Sequence, residues 1–308
     1  MAIREVKTNS HDEWLELRGK TIGGSDAGAI AGLNPHQSAY SLWAEKMGKV
    51  PAFEGNLTTE VGSYLEDFVA KLFERETGKK VRRKNCTVFN DDYPWAHANV
   101  DRVVVGENAV LEIKTTNSFA NMKLMDKGDY PAAWYCQAMH YMTVCGFKKA
   151  YLAVLIGGRE FKRFEIDFDP EESEALMKME KAFWKHLEDD TPPPVSGMDC
   201  DTDVLNMVYA ESCEGSVELF GRDALLDEYF ELGERITALK QQQEAIKQLV
   251  CADMGDYDTG VGSKWRVSWK TQQRQTFDYK RFAAEHPGMN LERYFKVSTS
   301  RPFKIKEI

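Results

Sequence analysis

The stretch His97–Thr116, HANVDRVVVGENAVLEIKTT, decides how the chain is read. Runs rich in valine and isoleucine flank Gly106-Glu107-Asn108, and apolar runs on either side of a glycine-led turn predict a β-hairpin. With Gly106-Glu107 as a two-residue loop, Val105 pairs with Asn108, and counting back along both strands places Asp101 opposite Glu112. Residues two apart share a strand face, so Glu112 and Lys114 point the same way and Asp101 joins them. Like charges set opposite each other cost stability unless something offsets them, and a divalent cation would do so.

Asp101, ten residues, then Glu112-x-Lys114 is therefore read as a magnesium site for phosphodiester hydrolysis. Carboxylate oxygens suit Mg2+, which keeps several waters and accepts phosphate oxygens as its remaining ligands. Lys114 would orient or deprotonate the attacking water and offset charge building on phosphorus. The plain alternative is a surface E-x-K tripeptide forming an ion pair, so the surroundings must decide.

Upstream, Thr58–Thr77 reads as a long helix with an apolar stripe through Val61, Leu65, Val69, Leu72 and Phe73. At 100° per residue Glu66 lies on the line of Gly62, Val69 and Phe73, while Asp67 points away. A carboxylate on an inward stripe is costly unless paired or metal-bound, so Glu66 is a candidate third acid; the alternative is an edge residue reaching outward. The basic run Lys79–Lys84 is either a solvated face or the bank of a DNA groove. Further upstream, Asp12–Arg18 predicts a short helix, and Ile22-Gly23-Gly24-Ser25-Asp26 leads into a second helix capped by Ser25. Two glycines before a helix start leave N–H groups open to an anion, and Arg18 precedes the serine by seven residues. That describes either a phosphate pocket formed by Arg18 and Ser25 or an ordinary glycine turn. Ser38–Met47 predicts a third helix.

Downstream, Pro131–Cys145 is an apolar helix carrying Gln137, His140 and Tyr141, and His140 is assigned no chemistry because a lone histidine there is usually a bonded core residue. Lys149–Leu155 and Glu160–Asp167 predict a strand pair across Gly157-Gly158, and Glu171–Leu187 an amphipathic helix ended by a proline-rich connector. The expected fold class is α/β, a mixed central sheet flanked by helices.

With 308 residues and 43% apolar content the chain can bury a sizeable core. No run of about 18 apolar residues spans a bilayer, and MAIREVKTNSHDEW lacks the apolar centre of a signal peptide, so a cytoplasmic protein with no membrane partner is expected. Six cysteines without a C-x-x-C pair argue against zinc or iron-sulfur and fit reduced thiols. The net charge of −9 is uneven, with +7 from Val261 onward and −16 before it.

Arg18 with Ile22–Asp26, Glu60-x-Gly62-x-x-x-Glu66, Asn99-x-Asp101, Glu112-x-Lys114 and Gln137 with His140-Tyr141-Met142 fall in an order and spacing that resembles the YqaJ-like viral recombinase nucleases. These are relatives of lambda exonuclease within the PD-(D/E)xK superfamily, and the likeness covers roughly residues 14–187. It implies a restriction-endonuclease-like core acting as a magnesium-dependent nuclease, with Mn2+ as substitute, that digests one strand of duplex DNA from its 5′ end and leaves 3′ single-stranded tails. By this likeness Asp101, Glu112 and the main-chain carbonyl of Ile113 hold metal, and Glu66 completes the site or holds a second ion. Lys114 serves the water, Gln137 supports it, and Arg18 and Ser25 grip the 5′ phosphate. The resemblance further implies a bacteriophage recombination enzyme in the bacterial host cytoplasm. Its implied partners are double-stranded DNA ends, a single-strand annealing protein and other copies of itself, with a trimeric ring as one such assembly. Met139 departs from a motif that often reads Gln-x-Gln-His-Tyr-Met, and Arg102 stands where glycine is frequent. By alternation Arg102 should face away from the acids with little effect on metal binding.

The expected organisation is a nuclease core over residues 1–190, a linker and short helix over 191–221, a long amphipathic helix over 222–256, and a basic aromatic-rich module over 257–308. The long helix packs on the body, dimerises or binds a partner. In the module, aromatics interleaved with lysine and arginine suit either a nucleic-acid surface or a small core with a positive exterior. The other functional readings are a structure-selective or nicking endonuclease on the same core, and a DNA-binding or assembly protein without catalysis.

Overall fold

Gly106 turns the chain at φ +82°, a left-handed conformation that glycine adopts without strain, but the connection is the four residues Val105–Asn108 rather than two, since the Val105 N–H donates to the Lys80 carbonyl at 2.8 Å instead of closing a pair with Asn108; the expected register is kept. Arg102 stands opposite Leu111 and Val103 opposite Val110, the register that brings Asp101 to Glu112. The computed structural model describes residues 2–7, 19 and 21–296, so the helix expected over Asp12–Arg18 lies outside the described residues.

Strand β1 (Ile3–Val6) is followed by helices α1 (Gly24–Ile30), α2 (Ala39–Lys46) and α3 (Leu57–Thr77). Five strands come next: β2 (Val81–Arg83), β3 (Thr87–Asn90), β4 (His97–Ala98), β5 (Arg102–Val104) and β6 (Ala109–Thr116). Helices α4 (Phe119–Asp126) and α5 (Ala132–Cys145) lead to β7 (Lys149–Ile156), β8 (Glu160–Asp167), α6 (Pro170–Glu188) and α7 (Asp199–Val208). The remainder holds α8 (Asp223–Met254), β9 (Thr259–Val261), β10 (Arg266–Ser268) and α9 (Tyr279–Glu285).

A sheet in the order β2-β5-β6-β7-β8 forms the centre, mixed because β6 and β7 run parallel while the other pairs are antiparallel. The parallel pair needs a crossover, which α4 and α5 supply. One face of β6 packs Leu111 and Ile113 on Val69, Leu72 and Phe73 of α3. The other face turns Val110 toward a second core containing Ala138, Met139 and Met142 of α5 and Leu176 and Phe183 of α6. A side sheet, β1-β3-β4, completes this part. Among the described residues no helix is long and apolar enough to cross a membrane.

Two local expectations are corrected. Ser25 does not cap its helix: Gly23 does, because the Asp26 carboxylate turns back to accept the Gly23 N–H at 3.0 Å, leaving Ser25 exposed in the first turn. Val61 is exposed rather than part of the buried stripe, since that stripe begins only where α3 reaches the sheet, near Leu65.

By its internal contacts the chain divides into Met1–Ala210 and Glu211–Ile308. Helix α7 belongs to the first unit, where Asp201 accepts from the Ser38 hydroxyl at the start of α2 and from the N–H and hydroxyl of Ser196 at 2.6 and 2.7 Å. In the second unit the large apolar residues of α8 from Leu225 to Leu249 are exposed, apart from half-buried Leu226.

Candidate active site

Asp101 ends the approach to β5, and its Oδ2 accepts the N–H of Ile113 at 2.8 Å, which fixes the carboxylate against β6. Glu112, on the face of β6 turned toward α5, is buried. Its Oε1 accepts from Gln137 Nε2 at 2.7 Å and from Lys114 Nζ at 2.8 Å. Lys114 Nζ also donates to Gln137 Oε1 at 2.8 Å, so glutamate, lysine and glutamine close a triangle across strand and helix. Gln137 Nε2 lies 3.1 Å from the Tyr141 hydroxyl one turn along α5.

Glu112 Oε2 is buried with no hydrogen-bond partner. Leaving a carboxylate oxygen unpaired in the interior costs several kcal/mol or about that order, so such an oxygen marks a place for a cation. Glu180 Oε2 is orphaned as well, but its carboxylate already meets His140. Beside Glu112, burial pushes the Asp101 carboxyl well above the usual range, the Glu112 charge pushes it further, and the Ile113 N–H and Lys114 only partly oppose them. Two neighbouring carboxylates, one with an open oxygen, form a hard-oxygen donor set suited to a small divalent ion. The residues present therefore fit a metal.

Glu66 is half-buried, and its carboxylate is held by Arg102. Arg102 reaches it because α3 covers the face of the hairpin to which Arg102 points; its guanidinium also donates to Asp67 Oδ1 and to the Asp101 carbonyl, both at 2.6 Å. The expectation that Arg102 stands clear of the acids is thus corrected: alternation gives its side of the sheet, and Glu66 is on that side. Among the described residues no group of three histidine, cysteine or acidic side chains is arranged to hold a metal, leaving Asp101 and Glu112 as the convergent pair.

His140 is fully buried, with Nδ1 2.7 Å from Glu180 Oε1 and Nε2 2.8 Å from the His97 carbonyl. Burial pushes its imidazole down, but Glu180 raises it on balance. It is a bonded core residue. Ser25 lies in a turn tied to the acids through Gly24, which packs on the Tyr141 ring so closely that an added Cβ would sit 2.5 Å from a ring carbon. Arg18 lies outside the described residues.

Asp26 and Lys46 form a buried pair at 2.8 Å, and Lys46 donates to the Thr21 carbonyl at 2.9 Å, so the turn is clamped from both ends. Sequence reading quoted Asp26 only as part of the glycine motif and passed over Lys46, although an acid three positions after a glycine cap is a capping signal.

The sequence profile of the YqaJ-like viral recombinase domain matches residues 13–148. The uncharacterized YqaJ protein of Bacillus subtilis (strain 168) is 36% identical over 305 residues, covering 97% of this chain and 95% of that one. Among solved structures, an alkaline exonuclease, LHK-Exo, from Laribacter hongkongensis superposes with a TM-score of 0.51 at 18% identity, over 58% of this chain and 93% of its own. Its complex with dAMP gives 0.50 over the same shares. At that identity the likeness is one of fold, a mixed sheet flanked by helices as in restriction-endonuclease-like enzymes. The extent and identity of the full-length match settle the remaining point: this chain belongs to the YqaJ-like viral recombinase family.

Proposed function

We propose that the chain is a divalent-metal-dependent deoxyribonuclease, a 5′-to-3′ exonuclease on duplex ends that leaves 3′ single-stranded tails. The observation that carries this is the open Oε2 of buried Glu112 beside Asp101, with Lys114 held over the pair by Gln137. In this reading Asp101, Glu112 and the Ile113 carbonyl hold the ion, Mg2+ with Mn2+ as substitute, and Glu66 adds a ligand once free of Arg102. The ion supplies neutralisation of charge at the attacked phosphate and the leaving oxygen. Lys114, fixed by Gln137 and Glu112, positions the attacking water in line with the scissile bond and takes up negative charge growing on phosphorus. Arg18 and Ser25 would seat the 5′ phosphate and so set polarity, with helix N–H groups assisting. The recombination role follows from the family, with a single-strand annealing protein receiving the tail and self-association into a ring as the assembly.

The test uses linear duplex labelled separately at each end, with and without Mg2+. Early release of the 5′ label is expected, and release from the 3′ end first would reverse the polarity. Lys114→Ala should lower cleavage by about 10²-fold or more while leaving duplex binding intact; cleavage at the normal rate would remove the lysine from the mechanism. A covalently closed circle separates the endonuclease reading, since an enzyme that needs an end leaves it whole.

A further inference from the structure

Strands β9 and β10 make a short antiparallel ribbon in the second unit, with Arg266 opposite Val261 and Ser268 opposite Thr259. The Gly262 N–H donates to the Trp265 carbonyl at 2.8 Å to close its turn, and the Trp269 N–H donates to the Asp258 carbonyl at 2.9 Å at its open end. Alternation puts Trp265, Val267 and Trp269 on one face and Arg266 and Ser268 on the other. If the tryptophans formed a small core they would be covered. Instead Trp265 is 73% and Trp269 51% exposed.

Large indoles left in water on a ribbon held by few backbone bonds contribute little to its folding, so their presence calls for a ligand. Their surroundings give its chemistry. Lys264 Nζ lies 5.6 Å from the centre of the Trp265 ring, and Arg293 repeats the pattern 4.8 Å over exposed Tyr294. From Val261 to Lys296 eight lysines and arginines face three acids. Asp258, whose carbonyl closes the open end of the ribbon, is matched by Lys270 at 3.5 Å.

Cations beside open aromatic faces suit a polyanion that carries flat, unstacked rings. A duplex keeps its bases stacked and offers such rings nothing but phosphates, and an apolar protein partner would be served by a surface poorer in lysine. We infer that the β9–β10 ribbon, with Trp265 and Trp269 as stacking platforms and Lys264 and Arg266 as phosphate contacts, is a binding site for single-stranded DNA. Extended-strand geometry sets the two indoles about 13 Å apart, a span that two separate bases of one strand can bridge. Taken with the proposed nuclease reaction, on which this last step rests, the ligand is the strand spared by digestion.

The test is binding of a fluorescently labelled oligo(dT) to the full-length Lys114→Ala protein in EDTA, followed by anisotropy. Replacing both indoles, Trp265→Ala with Trp269→Ala, should weaken binding by about thirtyfold or more, and Trp265→Phe with Trp269→Phe should restore most of it. Lys264→Ala with Arg266→Ala should flatten the salt dependence by about two phosphate contacts. Duplex binding should stay unchanged in the tryptophan variants. Equal oligo(dT) affinity in the alanine variant and its parent overturns the assignment, as does displacement of oligo(dT) by polyglutamate at matched charge, which would make the ribbon a site for an acidic polypeptide. Indole-dependent oligo(dT) binding in a wild-type chain that digests no DNA would sustain this site while removing the nuclease reading.

Discussion

Arg102 holds three groups at the rim of the acid pair: the carboxylates of Glu66 and Asp67 and the carbonyl of Asp101. With the Ile113 N–H on its carboxylate, Asp101 is gripped at both backbone and side chain. Removing the guanidinium takes away a positive charge that opposes a cation and releases Glu66 toward it. Arg102→Ala should therefore lower the Mg2+ concentration needed for half-maximal cleavage while reducing kcat, since Asp101 loses a support. A titration of rate against Mg2+ reads both, and an unchanged or higher requirement would leave Glu66 as a structural partner of Arg102. The pairing of Asp101 with Glu112 and the shared face of Glu112 and Lys114 were legible because strand periodicity is strict and the loop is short. Arg102 was not, because alternation says which way a residue leaves the sheet and nothing about which helix covers that side or how far a long side chain reaches.

Helix α1 approaches α5 through Gly24 on Tyr141 and Gly28 on Ala133, contacts that admit no Cβ. Tyr141 is buried, so Gly24→Ala must move the helix or force the ring against its packed neighbours. The expected result is destabilisation of about 1–3 kcal/mol with a lower kcat, because the ring carries the hydroxyl that meets Gln137. Thermal unfolding with single-turnover kinetics reads the two effects. The sequence marked Gly23-Gly24 as a turn, but the close helix contacts of Gly24 and Gly28 depend on which helix lies opposite and were not readable. Helix α7 is tied to α2 by Asp201. Burial pushes the Asp201 carboxyl up, but hydrogen bonds from Ser38 and Ser196 outweigh it and leave it below the usual aspartate range. A folded-state value below the unfolded one means the contribution is complete above about pH 4 and is lost as pH falls through the folded value. Asp201→Asn should cost about 2 kcal/mol at pH 7 by urea unfolding, and the gap to wild type should narrow in acid below about pH 4. A gap that widens in acid would show that another group sets the acid behaviour of this contact.

At the scale of the molecule, the proposed acids, lysine and glutamine all fall in Met1–Ala210, and the ribbon with its open indoles falls in Glu211–Ile308. A chain ending at Ala210 should fold and cut a short duplex at the parent's initial rate, checked by circular dichroism and end-labelled digestion. Loss of folding would mean that the second unit completes the core of the first. The order of the central sheet and its long helices was legible from periodicity, but the side sheet β1-β3-β4 and α4 were not expected, being too short to show a period; nor was the exposure of the C-terminal tryptophans legible, since aromatics at alternate positions read the same whether they enclose a core or face water. The short connection Val105–Asn108 between β5 and β6 has a consequence for how such chains can diverge. Gaining or losing a single amino acid there would exchange the inner and outer sides of one strand relative to the other and part the two acids at a stroke. Lineages can lengthen or trim other loops of this chain, but changes at this one that shift the pairing by an odd number of residues should be absent from any descendant that still works.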